Sequence, residues 1–431
     1  MESTDGKVGS PGGPLHAYID GEGRLVFPRE LADRYGLKAG GRVRLDEMLT
    51  GIRLRRPVSH LTKVYVEPTN MCNLECRTCI RNDWDESPGM MTGETFKRIL
   101  GGLRSFSPAP TVFFGGFGEP LSHPGIIDMI GKAKSLGGPV ELVTNGTLLS
   151  REISRKLIGV GLDRLWISLD GANPESYADV RLGAALPEVL GNLAAFRQER
   201  WRVNVHTPEL NIVFVAMKRN IADLPAMYNL VYYLGAKKLL VTNLVAYTPE
   251  MRREILYERV SATRNFQSFL TSPDLQLPRF DLNETTREPL YRVLRASDNV
   301  SLSGGAHLGE AEDFCPFVQN GATAVRWDGK VSPCLPLLRD HSSHGQIRYG
   351  VDAERFSRGY HFGDVAGSDL GSIWNSPEYL RFREKVQDFD FSFCTSCGGC
   401  EMAEKNEQDC FGNTFPTCGG CLWGQGIIRC P

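Results

Sequence analysis

The stretch that decides the fold reads Lys63-Val-Tyr-Val-Glu67-Pro-Thr-Asn-Met-Cys72-Asn-Leu-Glu-Cys76-Arg-Thr-Cys79-Ile-Arg-Asn82. Lys63 to Glu67 has the make-up of a buried strand, and three cysteines follow at once with three and then two residues between them. Three thiolates on one short loop converge on one centre. A structural zinc site closes with four protein ligands, whereas three ligands leave one metal position open to an exogenous molecule. The pattern points to an iron centre with an open site; the zinc alternative would need His123 or Asp83 as its fourth ligand.

Outward from this loop, short β-branched or apolar runs alternate with helix-length amphipathic segments as far as about Thr248, the signature of repeated βα units and a parallel sheet. Six strands are expected, at Lys63 to Glu67, Thr111 to Gly115, Val140 to Thr144, Arg164 to Asp170, Asn211 to Ala216 and Lys238 to Asn243, with helices centred near residues 98, 129, 155, 192 and 228. Ligands of parallel α/β sheets bind at the C-terminal ends of the strands. The unusual polar motifs fall at those ends: the cysteine loop, Gly115-Gly116-Phe117-Gly118-Glu119-Pro120, Thr144-Asn145-Gly146-Thr147 and Ser168-Leu169-Asp170-Gly171.

The 431 residues include twelve cysteines, too many for an ordinary cytosolic enzyme and too few for a small disulfide scaffold of this length. Beyond the first three, none occurs between positions 80 and 314, and the rest lie from Cys315 to Cys430. Forty-nine Lys and Arg against fifty-one Asp and Glu give a formal charge of -2, which excludes a globally basic protein drawn to nucleic acid or anionic lipid. No apolar run reaches the ~18 residues a membrane helix needs, and the polar, Gly/Pro-rich start has no signal core. A cytoplasmic protein is expected.

Residues 1 to 13 read as a tail. Residues 14 to 58 read as a small β-rich module of strand, turn, strand, a helix opened by Pro28, a turn at Gly40 and Gly41, and two strands. Residues 59 to 250 form the βα core, and residues 251 to 312 read as a linker or accessory helix layer with helical fragments around Arg252 to Leu270. From 313 to 431 the chain is rich in Cys, Gly and Asp, and a conventional core looks insufficient without bound clusters as cross-links. Trp84, Asp85, Met90 and Met91, just past the cysteine loop, suit either loop packing or a lid. His341 and His344 read as solvated loop residues rather than metal ligands.

A CxxxCxxC loop after the first strand of a repeated βα core resembles the radical SAM superfamily. The resemblance implies a partial (β/α)6 TIM-like barrel and a 4Fe–4S cluster on Cys72, Cys76 and Cys79, whose open iron takes the amino acid end of S-adenosylmethionine. It also implies SAM contacts from Gly115, Gly116, Gly118, Asn145, Ser168 and Asp170, with Glu119 holding the loop. Thr78 departs from the aromatic residue often found before the third cysteine. Cys315 and the Gly329-to-Cys334 step resemble the SPASM extension, which carries auxiliary 4Fe–4S clusters. The tail departs from its pattern, since Ala403 stands where that extension has a cysteine. Cys315, Cys334, Cys394, Cys397, Cys400, Cys410, Cys418, Cys421 and Cys430 would serve two closed clusters with one thiol to spare, and the spacing does not say which; the Cys418/Cys421 pair also suits zinc.

Gly23, Arg24, Pro28, Leu37 and Gly40 resemble the AbrB/MazE swapped-hairpin pattern, which implies dimerisation or docking. DNA binding is disfavoured, because ten basic residues among residues 1 to 57 face eight acids. Over its full length the chain resembles the maturases of tungsten-containing aldehyde ferredoxin oxidoreductases. This implies reductive SAM cleavage, an anaerobic host, a low-potential donor such as ferredoxin or flavodoxin, and a tungsten oxidoreductase, its pterin cofactor or a peptide as substrate. A peptide cross-linking enzyme and an iron-sulfur regulator are the alternatives.

Overall fold

The computed structural model describes residues 16–48, 51–257, 275–277, 300–302, 306–308, 315–348, 351–392 and 400–431. Six parallel strands follow the expected order: β1 (Lys63–Val66), β2 (Thr111–Phe114), β3 (Val140–Thr144), β4 (Arg164–Ser168), β5 (Glu209–Ala216) and β6 (Lys238–Asn243). Successive strands are neighbours and pair in parallel, with Lys63 opposite Thr111 and Asn211 opposite Lys238. The helices Gly93–Leu103, Ile126–Lys134, Arg151–Gly159, Leu186–Arg202 and Leu224–Tyr233 return the chain between them. Thr92 and Ser150 cap two of these helices by accepting backbone N–H groups at the third helical position. The short helix Pro174–Val180 was not anticipated from the pattern.

Alternation along each strand sorts the apolar side chains into two cores. Val64, Val66, Val112, Phe114, Leu165, Ile167, Ile212 and Phe214 face the helices. Tyr65, Phe113, Trp166 and Val213 face the other side, where Phe317, Leu337, Leu338 and Cys334 of the C-terminal extension cover them.

The extension is therefore part of the sheet system. Three more strands, β7 (Ala322–Val325), β8 (Lys330–Ser332) and β9 (Gly363–Asp364), complete a nine-stranded sheet in the order β6-β5-β4-β3-β2-β1-β7-β8-β9, with β7 parallel to β1. Trp374, Tyr379 and Phe391 are fully buried there, and the guanidinium of Arg383 stacks on Trp374 and Tyr379 at 3.6 and 4.2 Å. The expected shortage of apolar core beyond residue 313 is corrected by these contacts. The sequence hides them because the burying partners are distant in the chain.

The N-terminal module has the anticipated order: strand pair Tyr18–Ile19 with Leu25–Val26, helix Arg29–Tyr35, and hairpin Leu45–Met48 with Gly51–Leu54. Gly36 ends the helix at φ +67°, and a Cβ there would strike the His60 ring, so the module is seated closely on the start of the core. Arg44 also donates to the Gln387 carbonyl at 2.8 Å. Of the segment read as a linker, the described parts are residues 251–257, which finish the helix Pro249–Arg252 and bury Ile255 and Tyr257, and a small sheet of Leu275–Leu277, Val300–Leu302 and Ala306–Leu308. The helical reading up to Leu270 falls mostly outside the described residues. The HSSH sequence opens the strand His341–Arg348, and His341 is buried edge-on against Tyr247, so its reading as a solvated loop residue is corrected.

Candidate active site

The loop after β1 brings Cys72, Cys76 and Cys79 into one cleft of about 290 Å³. The same cleft is lined by Gly116, Gly118 and Glu119 after β2, Asn145 after β3 and Ser168 at the end of β4. Burial pushes the Cys72 thiol up and the Cys79 thiol up to about 11, and the neighbouring cysteines add to both shifts. Such thiols become thiolates when a metal compensates the charge.

A zinc site completed by His123 does not fit. Its Nε2 bonds the Met91 carbonyl at 2.9 Å and its Nδ1 accepts the Gly125 N–H at 3.1 Å, so neither nitrogen is free. Asp83 does not line the cleft. Among the described residues, no three His, Cys, Asp or Glu side chains are gathered closely enough for a single metal ion. Three thiols spaced around a common cleft suit a larger iron-sulfur cluster with one iron left to an outside ligand.

The glycines shape the second wall. A Cβ on Gly118 would lie 2.3 Å from the Thr69 carbonyl oxygen, so only glycine lets this turn press onto the cysteine loop. Gly116 has φ +137°, while Gly115 lies behind the wall against Phe113 and Val143. Glu119 is buried and ties its own turn to the end of β3: it accepts from Thr144 Oγ1 at 2.7 Å, Asn145 N at 2.8 Å and Leu121 N at 2.9 Å. Burial raises its pKa against the lowering effect of these bonds. Asn145 Nδ2 donates to Asn73 at 2.9 Å and stands 3.9 Å from Cys72 Sγ.

Asp170 does not reach the cleft. It is fully buried, takes Arg181 Nε at 2.7 Å and accepts the Val215 N–H at 2.8 Å. Arg181 lines the cleft instead, with Nη1 3.9 Å from Cys76 Sγ. Burial works against its charge, but Asp170 and then Cys76 outweigh that and raise its pKa. Arg181, Thr242, Asn243 and Tyr247 also line the cleft, and sequence reasoning missed them. They carry no motif, and only the packing of β6 and of the helix after β4 against the cleft reveals them.

A second cavity, mostly apolar, is lined by Cys315, Cys334, Cys418 and Cys421. Gly419 and Gly420 are tightly hemmed: a Cβ on Gly420 would meet the Arg355 guanidinium at 2.1 Å. Burial raises all four thiols, and Cys334 is raised further by Cys315, Cys421 and Cys418 in turn. Cys430 is outside this group and takes the Trp423 Nε1–H at 3.2 Å. Cys410 is exposed, Cys400 precedes the turn Glu401–Glu404, and Cys394 and Cys397 lie outside the described residues. No disulfide links the described cysteines.

An α/β enzyme with a three-thiol cleft at the strand ends and a four-thiol cavity in its extension belongs to the iron-sulfur class. The Radical SAM superfamily model matches residues 66–231, and the SPASM iron-sulfur cluster-binding domain matches residues 315–401. The tungsten-containing aldehyde ferredoxin oxidoreductase cofactor-modifying protein of Pyrococcus furiosus is 30% identical over 375 residues, covering 85% of this chain and 96% of that one. The AdoMet-dependent heme synthase of Methanosarcina barkeri is 30% identical over 346 residues, covering 78% and 87%. Among solved structures, anSMEcpe with bound AdoMet matches with a TM-score of 0.51 at 15% identity over 85% of this chain and 96% of that one. Streptococcus suis SuiB bound to S-adenosylmethionine matches with a TM-score of 0.51 at 15% identity over 79% and 71%. This chain belongs to the radical SAM/SPASM family. It is an enzyme whose family domains take SAM, a 4Fe–4S cluster and auxiliary iron-sulfur clusters.

Proposed function

We propose that Cys72, Cys76 and Cys79 ligate the 4Fe–4S cluster and that SAM lies against Gly116, Gly118, Asn145 and Ser168 in a maturase acting on a tungsten-containing oxidoreductase or its cofactor. The observation that carries this is the meeting of the three thiols and the glycine turn in one cleft. Held by Cys72, Cys76 and Cys79, such a cluster would supply the one-electron reduction that splits the sulfonium of SAM into methionine and a 5′-deoxyadenosyl radical. Glu119 fixes the ends of β2 and β3 against each other, and Arg181, held by Asp170, presents a cation beside Cys76. The substrate class follows the Pyrococcus relative's name. A ferredoxin or flavodoxin would deliver the electron.

Two auxiliary clusters complete this reading, one on Cys315, Cys334, Cys418 and Cys421 and one drawn from Cys394, Cys397, Cys400, Cys410 and Cys430 with one thiol spare. The decisive experiment is anaerobic co-expression with a tungsten-containing aldehyde oxidoreductase, followed by mass spectrometry of that partner and its extracted cofactor. A mass or activity gained only with this protein, SAM and reductant is expected, with about twelve irons per chain in the maturase. An unaltered partner and cofactor would contradict the substrate assignment, and a modified small peptide would favour the peptide-modifying alternative.

The N-terminal module supports dimerisation of the chain. Tyr18, Ile19, Leu25, Leu45 and Ile52 lie on its four strands, each more than half exposed, and Ile19 stands opposite Leu25, an exposed apolar pair that a second copy of the chain would cover. A dimer is expected by light scattering, and Ile19→Glu with Ile52→Glu should make it monomeric; a monomeric wild type would contradict this.

A further inference from the structure

Arg339 lies in the extension five residues after Cys334, yet its guanidinium is 1% exposed and reaches the end of β1. Its Nη1 donates to Glu67 Oε1 at 2.8 Å, its Nη2 donates to the other oxygen of the same carboxylate, and its Nε donates to Glu86. The rings of Trp84 and Phe117 stand 4.6 and 5.3 Å from the guanidinium carbon and meet each other edge to face at 5.7 Å. Trp84 and Glu86, from the segment after the cysteine loop, thus complete a cage around this one cation.

Glu67 is equally buried, and its Oε1 also accepts the Phe117 backbone N–H at 3.2 Å. Gly116 packs onto it so closely that a Cβ would fall 2.7 Å from Glu67 Cγ. The glycine turn therefore rests on a carboxylate whose charge is balanced by a residue more than two hundred positions away. A planar guanidinium fork fixes such a carboxylate in orientation as well as charge, and a buried carboxylate deprived of its partner must move, take a proton or admit water. Arg339 does not line the cleft, whereas Gly116 and Phe117 do.

We infer that Arg339 is a positioning residue for SAM: through Glu67 it holds the backbone of Gly116 to Gly118 in the conformation that receives the cosubstrate, so the C-terminal extension sets the affinity of the barrel's own site. This rests on the reading of that turn as part of the SAM cradle. The test measures SAM binding by equilibrium dialysis, with iron content, on the anaerobically reconstituted full chain. Arg339→Met is expected to weaken SAM binding about tenfold or more with iron content unchanged, because the buried carboxylate loses its partner. Arg339→Lys keeps the charge without the fork and should fall between. Glu67→Gln/Arg339→Met removes both charges while keeping an acceptor for Phe117, and should recover to within about threefold of wild type, as coupled neighbours do.

Wild-type affinity in Arg339→Met, or a double variant no tighter than the single one, overturns the inference. If Arg339→Met does not fold, the double variant decides: near wild-type affinity supports the inference and a large loss overturns it. Gly116→Ala separates the two failures. Its loss of SAM beside wild-type affinity in Arg339→Met overturns the role of Arg339 alone, whereas wild-type affinity in Gly116→Ala overturns the turn's own role and the inference with it.

Discussion

Replacing Cys72, Cys76 and Cys79 together with alanine is expected to remove about four irons per chain and all SAM cleavage, while the iron held by the extension stays. The loss should be complete because the three thiols share one cleft and the substitute ligands are engaged or distant: His123 has both nitrogens bonded, Asp83 is outside the lining, and both carboxylate oxygens of Glu119 accept hydrogen bonds. The fold should survive, since the barrel is held by the helix-facing core of Val64, Phe114, Ile167 and Phe214. Iron and sulfide analysis beside far-ultraviolet circular dichroism checks both halves. An undiminished iron count in a folded triple variant would move the cluster elsewhere.

Asp170→Ala should have the second largest effect, through stability before activity. The change leaves the Arg181 guanidinium inside the protein without its carboxylate and strips the Val215 N–H of its acceptor. Breaking a buried pair by removing one partner costs about 3–5 kcal/mol. The double variant Asp170→Ala/Arg181→Met, which leaves no buried charge, should recover much of that stability but not SAM turnover, because Arg181 lies beside Cys76. Denaturant unfolding of the metal-free proteins measures the first effect. A loss below about 1 kcal/mol would show that water already reaches the pair.

The barrel was legible because its strands are short β-branched or apolar runs that alternate with helix-length amphipathic segments. All six parallel strands fall within two residues of their expected starts, and β3 and β6 agree at both ends. The cysteine loop and the glycine turn were legible because local spacing alone brings their groups together. Arg181 and Arg339 were not. Each is an ordinary arginine in an unremarkable context, and its meaning comes from a carboxylate on another segment: Asp170 for the first, Glu67 for the second. The four-thiol set escaped for a similar reason, since Cys315 and Cys334 meet Cys418 and Cys421 only after the extension wraps the inner face of the sheet. β7, β8 and β9 were missed because they are three- or two-residue additions or short runs without alternation long enough to read.

The central claim is that the three-thiol cleft binds SAM at an open iron and splits it with one electron. The most direct measurement is chromatography with mass detection of 5′-deoxyadenosine from the anaerobically reconstituted protein, given SAM and a low-potential reductant. The account predicts deoxyadenosine and methionine that require both the reductant and the intact cysteine loop. A cluster-loaded, reduced protein that releases no deoxyadenosine, or one that releases it equally well with Cys72, Cys76 and Cys79 replaced, would contradict it.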